Sequence, residues 1–190
     1  MAGSIEQQLY DLAEDNYGYV TTRMAAAASI PAHRLVQLAE RGALERVSRG
    51  VYRLVRFPPS PLDSYMAATL WPSGLQGVLC HDTALDLYDV CDINPHRVHI
   101  AVPRSHRVRR AVPKQYVIHH VDLEAIEISA VGGIPVTKLL RTIADCVAAG
   151  VGTYLLEQAV ANGTSRGLLL SREARIATEL ISPRKSGGAQ

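Results

Sequence analysis

Apolar positions recur along this 190-residue chain with two different periods. Over residues 5–15, Ile5, Leu9 and Leu12 share one helical face, and Ser4 is placed to cap the first turn. Gly18 breaks that pattern, Tyr19-Val20 reads as a short extended piece, and Thr21 or Thr22 opens an alanine-rich helix through Ala28. Ser29-Ile30-Pro31 then turns into a third helix that runs to about Arg41. Ser29 is a candidate N-cap, Pro31 suits the first turn and Gly42 the C-terminal end. In this helix Leu35, Leu38 and Ala39 recur at i, i+3 and i+4 and are expected to face inward. From Arg46 to Leu54 the period becomes two, which predicts a hairpin with Val47, Tyr52 and Leu54 inward and the arginines outward. Gly50 supplies the positive φ that its turn requires.

The second stretch starts after Phe57-Pro58-Pro59-Ser60-Pro61, whose prolines stop the hairpin and hold the chain extended. A helix is predicted over 62–70, ended by Trp71-Pro72-Ser73-Gly74. A strand at Val78-Leu79-Cys80 follows, then a helix opened by His81-Asp82-Thr83. Val98 to Val102 and Tyr116 to His120 read as strands, and Ala125 to Ile128 and Ile134 to Val136 as the arms of a hairpin around Gly132-Gly133. Helices return from Thr137, which reads as a cap, to about Ala149, over 153–162, and from Ser171, another cap, to about Leu180. The expected fold class is α+β. Its divisions are residues 1–56, a linker at 57–61, a mixed α/β domain at 62–181 and a flexible tail at 182–190.

Charge and chemistry sharpen the first unit. In the third helix Arg34, Gln37 and Arg41 fall within roughly 60° of one another at 100° per residue. Arginine suits guanine edges and glutamine adenine edges in the major groove. The hairpin adds Arg46, Arg49 and Arg53. Two short helices followed by an arginine-tipped hairpin are the plan of a winged helix-turn-helix DNA-binding unit; the plainer reading is a solvated helix face. Net charge is only +2, but residues 57–96 hold five acidic residues and no Lys or Arg, whereas 97–114 hold six basic residues and no acidic ones. The basic loop with Arg104, Arg107, Arg109 and Arg110 is a candidate second phosphate contact, a dock for an acidic protein surface, or a solvated loop.

Other groups read as structural. Cys80-His81, Cys91, His96 and His99 lack the close pairs of zinc sites, so no metal is expected, and Cys80 and Cys91 read as small buried residues. His119-His120 ends a strand with one ring on each side. Arg141 and Asp145 stand at i and i+4 on a helix, as an ion pair. No phosphate-cradling glycine motif is present, so neither a cofactor nor a catalytic residue is assigned. Three cysteines without a CxxC pair favour a reduced, cytoplasmic protein. No apolar run approaches the roughly 18 residues of a membrane span, and the first residues lack the pattern of a signal peptide.

The order of these pieces resembles the AbiEi-type antitoxins of bacterial type IV toxin–antitoxin systems over roughly residues 15–170. The matching marks are Arg49-Gly50-Val51-Tyr52-Arg53-Leu54 after the short helices, and His81-Asp82-Thr83-Ala84-Leu85. Others are Ile100-Ala101-Val102-Pro103 before the basic loop, and Gly133-Ile134-Pro135-Val136-Thr137 before Arg141-Thr142-Ile143-Ala144-Asp145. The resemblance implies an N-terminal winged-helix domain that represses its own operon by binding operator DNA. It also implies a C-terminal antitoxin domain that opposes a nucleotidyltransferase-like toxin. Two alternatives stand beside it: an enzyme-like antitoxin that promotes phosphorylation of the toxin, and a plain transcriptional regulator whose second domain senses a ligand or mediates assembly. A kinase role would need an unusual site, drawing on the basic loop and a carboxylate such as Asp145.

Overall fold

The computed structural model describes residues 5–72 and 74–182. The expected cap at Ser4 and the tail beyond Ser182 lie outside them. The first helices are α1 (Ile5–Glu14), α2 (Thr22–Ala27) and α3 (Ala32–Glu40). With them go β1 (Tyr19–Thr21), β2 (Leu44–Ser48) and β3 (Val51–Leu54), an antiparallel sheet in the order β1-β3-β2. Thr21 caps α2, its Oγ1 accepting the Met24 N–H at 3.1 Å. Ser29 does not cap α3 as expected. It adopts a positive φ of 60° and donates its N–H to Ala26 at the end of α2, while extended Pro31 takes the cap position.

The hairpin departs from strict alternation at one residue. Arg46 pairs with Tyr52 and Ser48 with Val51, so Val47 is the extra residue of a β-bulge. Instead of facing inward, Val47 is 43% exposed. Tyr52 and Leu54 do face the first core with Val20, Leu35, Leu38 and Leu44. Val51 and Tyr19 point to the opposite face, and both are buried there against the second unit. The small sheet is therefore covered on both sides.

The second unit comprises α4 (Asp63–Leu70), β4 (Val78–Leu79), α5 (His81–Tyr88), β5 (Val98–Val102) and β6 (Tyr116–His120). A 3-10 turn (Ala125–Glu127) leads to β7 (Ile128–Val131), β8 (Ile134–Thr137), α6 (Leu139–Ala148), α7 (Thr153–Ser165) and α8 (Ser171–Ile181). Its five strands run in the order β6-β5-β4-β8-β7, with β5·β6 and β4·β8 parallel and β4·β5 and β7·β8 antiparallel. The protein is thus a mixed α+β fold whose N-terminal region has a winged helix-turn-helix arrangement. The 3-10 turn replaces the start of one expected strand. Thr137 is the last residue of β8, not a cap; its buried hydroxyl meets Thr142 Oγ1 at 2.7 Å, and Lys138 precedes α6. At α8 the N-cap is Leu170, one residue before the expected Ser171, its N–H donated to the Glu173 carboxylate at 2.8 Å. Among the described residues no helix is long and apolar enough to cross a membrane.

Several contacts join the two units. Arg53 is bound to Asp63 at 2.9 Å, and Tyr17 donates its hydroxyl to Gly132 O at 2.6 Å. Gly18, at φ 84°, lies under Phe57, where an added Cβ would come within 2.6 Å of the ring. A Gly18→Ala change combines about 1 kcal/mol of backbone cost with about 1–3 kcal/mol of overpacking. Urea denaturation should show a loss of about 2–4 kcal/mol; a loss under about 0.5 kcal/mol would contradict this close packing.

Candidate nucleic-acid interface and a buried histidine cluster

The outward face of α3 carries Gln37 and Arg41, both exposed, and half-buried Arg34, while Leu35 and Leu38 anchor the opposite face. Arg34 donates from Nη1 to Gln37 Oε1 at 2.9 Å, which holds the two polar tips side by side. Arg34, Gln37 and Arg41 line a shallow surface groove with Ile5, Glu6 and Leu38. Glu6 is the one acidic residue of that groove and places a negative group at its α1 edge.

In the hairpin, Arg46 stands exposed on β2 and Arg49 exposed at the tip. Gly50, at φ 75°, closes the turn, and its carbonyl accepts the Thr22 N–H at 2.9 Å, tying the tip to the start of α2. Arg49 shares a depression with Thr21, Thr22 and Arg23. Arg23, in the first turn of α2, is not among the arginines that the sequence pattern singles out.

Arg53 departs from the expected outward phosphate contact. Its Nη2 donates to Asp63 Oδ2 at 2.9 Å and to Pro58 O at 3.1 Å, and its guanidinium lies 5.7 Å from the Tyr19 ring centre. The side chain is only 16% exposed. The face of β3 opposite Tyr52 is covered by the second unit, so Arg53 fastens the base of the hairpin.

The basic loop comes up to the hairpin tip. Arg49, His106, Arg107, Val108, Arg109 and Arg110 line one depression of about 330 Å³. Arg104, Arg107 and Arg109 are exposed. Arg110 stacks on Trp71 with its guanidinium 4.1 Å from the ring centre and donates to the Trp71 carbonyl. Burial, and then the nearby positive charge of Arg49, pull Arg110 below its ordinary range. Two segments far apart in the chain thus pool their positive charge.

On α6, Arg141 binds Asp145 at 2.9 Å, as expected, and also Glu127 at 2.5 Å. A hydrogen bond from the Glu124 backbone and the Arg141 contact hold the Glu127 carboxyl below its usual range. Burial pushes Asp145 up, opposed by Arg141.

The histidines are less scattered than their spacing suggested. β5 and β6 run parallel with Ala101 opposite His119, which brings His119 alongside His99. Their ring nitrogens, His119 Nε2 and His99 Nδ1, are 3.0 Å apart. His99 Nε2 lies 3.5 Å from Asp82 Oδ1. Cys80 donates its N–H to His99 O at 3.2 Å, and the Thr83 hydroxyl oxygen accepts the His99 N–H at 2.9 Å, so the start of α5 is bound to β5. His81 stacks on His119 with ring centres 3.9 Å apart. The ligating atoms of Cys80, His81 and His119 lie within 4.8 Å of one another. Burial drives the Cys80 thiol well above its ordinary range, with Asp145 adding to it. Burial, then neighbouring His119, His99 and Arg141, lower His81 to about 4. Burial and His99 lower His119 to about 4, against an opposing pull from Asp82.

Folded values below the free value of 6.5 mean that the unfolded chain takes up more protons. The stability these two rings contribute is complete above pH 6.5 and is lost as pH falls toward 4. In buffer containing a chelator, the urea midpoint should fall from pH 7 to pH 5, and fall less in His119→Gln. Equal drops in both proteins would contradict the half-buried neutral rings.

Comparison with known proteins agrees with the first unit. No curated protein matches the chain. Among solved structures, the crystal structure of the RV2827C protein from Mycobacterium tuberculosis is similar at 15% identity and a TM-score of 0.38, covering 91% of this chain and 80% of that chain. Residues 7–55 match the family described as transcriptional regulator, AbiEi antitoxin. Over that span, from within α1 to the end of β3, the chain is similar to the AbiEi antitoxin family of transcriptional regulators.

Proposed function

We propose that this protein represses its own operon by setting α3 in the major groove of operator DNA, and that its second unit opposes a cognate nucleotidyltransferase-like toxin. The observation that carries the DNA reading is the meeting of Arg49 with Arg107, Arg109 and Arg110 around one depression, beside a winged-helix unit with polar tips on α3. A basic surface of this kind releases counterions from the DNA backbone, which supplies affinity without sequence information. Arg34, Gln37 and Arg41 are assigned to base edges, and Arg46 and Arg49 to phosphates or the adjoining minor groove. Arg104, Arg107, Arg109 and Arg110 extend the backbone contact, while Arg53 sets the wing's angle through Asp63. The toxin arm rests on the family description and on the resemblance of the second unit's motifs. Division into a reading domain at 1–56 and an antitoxin domain at 62–181 belongs to the same proposal.

Fluorescence anisotropy on the operon's own promoter DNA tests the DNA arm. Arg34→Ala should weaken operator binding by about 1–3 kcal/mol and relax sequence preference. Arg107→Ala with Arg109→Ala should weaken operator and unrelated DNA alike, and flatten the slope of log K against log salt by about 0.9 for each phosphate left without its arginine. An unchanged slope would remove the loop from the interface, and undiminished affinity in Arg34→Ala would remove α3.

A further inference from the structure

We propose that Cys80, His81 and His119 bind a zinc ion at the junction of β4, α5 and β6. Sequence spacing argues against a metal, because Cys80 and His81 are adjacent and His119 is remote. The parallel register of β5 and β6 overrides spacing by carrying His119 to the start of α5. The three ligating atoms lie within 4.8 Å of one another, so small side-chain rotations bring them to a common centre. One thiolate and two imidazoles are a zinc donor set, softer than the oxygen shells that magnesium and calcium take.

Three further observations point to the same centre. His81 Nδ1 is buried with no hydrogen-bond partner among the described residues, although a buried polar atom ordinarily has one. His81 holds a φ of 56°, a left-handed conformation rare outside glycine, and its ring stacks on His119. His99 contacts one nitrogen of His119 at 3.0 Å and leaves the other for the metal, while Asp82 stands 3.5 Å behind His99. A carboxylate–histidine relay of this kind orients a ligating ring. The fourth zinc position is left to water. A bound zinc supplies the positive charge that the buried Cys80 sulfur otherwise lacks. It would also brace β6 against the start of α5, below the basic loop that joins β5 to β6. The site stands independently of the DNA-binding reading.

The test uses the full chain, stripped with chelator and dialysed, then titrated with zinc chloride by calorimetry and with cobalt chloride by absorption. Wild type should take up one equivalent of either metal. Cobalt should give tetrahedral d–d bands and a near-ultraviolet thiolate-to-cobalt band. That band should vanish in Cys80→Ser and persist in Cys91→Ser, and zinc affinity should fall by at least about tenfold in His119→Ala. Absence of saturable uptake by wild type, or a thiolate band that survives Cys80→Ser, overturns the site. Circular dichroism verifies the variants' folding; where a variant is unfolded, wild-type stoichiometry and the wild-type cobalt spectrum decide.

Discussion

The burial of one small sheet on both faces governs how this molecule presents its positive charge. β1 and β3 send Val20 and Tyr52 into the first core and Tyr19 and Val51 into the second. Each apolar side chain so buried contributes about 1.5–3 kcal/mol relative to exposure. Arg53, on the second face, extends the attachment to Asp63 and lies over the Tyr19 ring. A wing attached in this way is not a free hairpin on a flexible tether. Its tip is set against the second unit, and Arg49 reaches the depression formed by the basic loop.

A net charge of +2 conveys none of this. Local density matters more, because screening limits charge interactions to about 8–10 Å at ordinary salt. Arg49, Arg107, Arg109 and Arg110 line one depression, so their charge is concentrated locally. Burial first, and then the charge of Arg49, lower Arg110, and the stack on Trp71 favours its charged form. Repulsion between these cations is relieved by an anion, as a phosphate backbone would supply.

Much of the architecture was legible in the sequence because it follows local periodicity. Leu35 and Leu38 anchor α3 as their spacing requires, and β5 and β6 are where their β-branched runs begin. Errors arose where a long-range partner decides. Val47 is outward because one bulge residue shifts the register, and alternation cannot reveal a bulge. Strand alternation puts Arg53 outward because a hairpin in isolation has a solvent face; here that face is covered. The histidine cluster was invisible for a related reason: parallel pairing joins positions with no sequence spacing to read, so His99, His119 and Cys80 become neighbours only in three dimensions. That Arg34, Gln37 and Arg41 share one face is legible because helical spacing sets their relative positions.

In the proposed function, α3, the wing and the basic loop act as one DNA-facing surface held by the doubly buried sheet. Hydrogen–deuterium exchange of the full chain, with and without its promoter duplex at low ionic strength, reads that surface. Slowed exchange is expected in residues 32–54 and 103–112 together, with α7 and α8 unchanged. Slowing in 32–54 alone would contradict the joint surface, and no slowing in either segment would contradict DNA binding by this face.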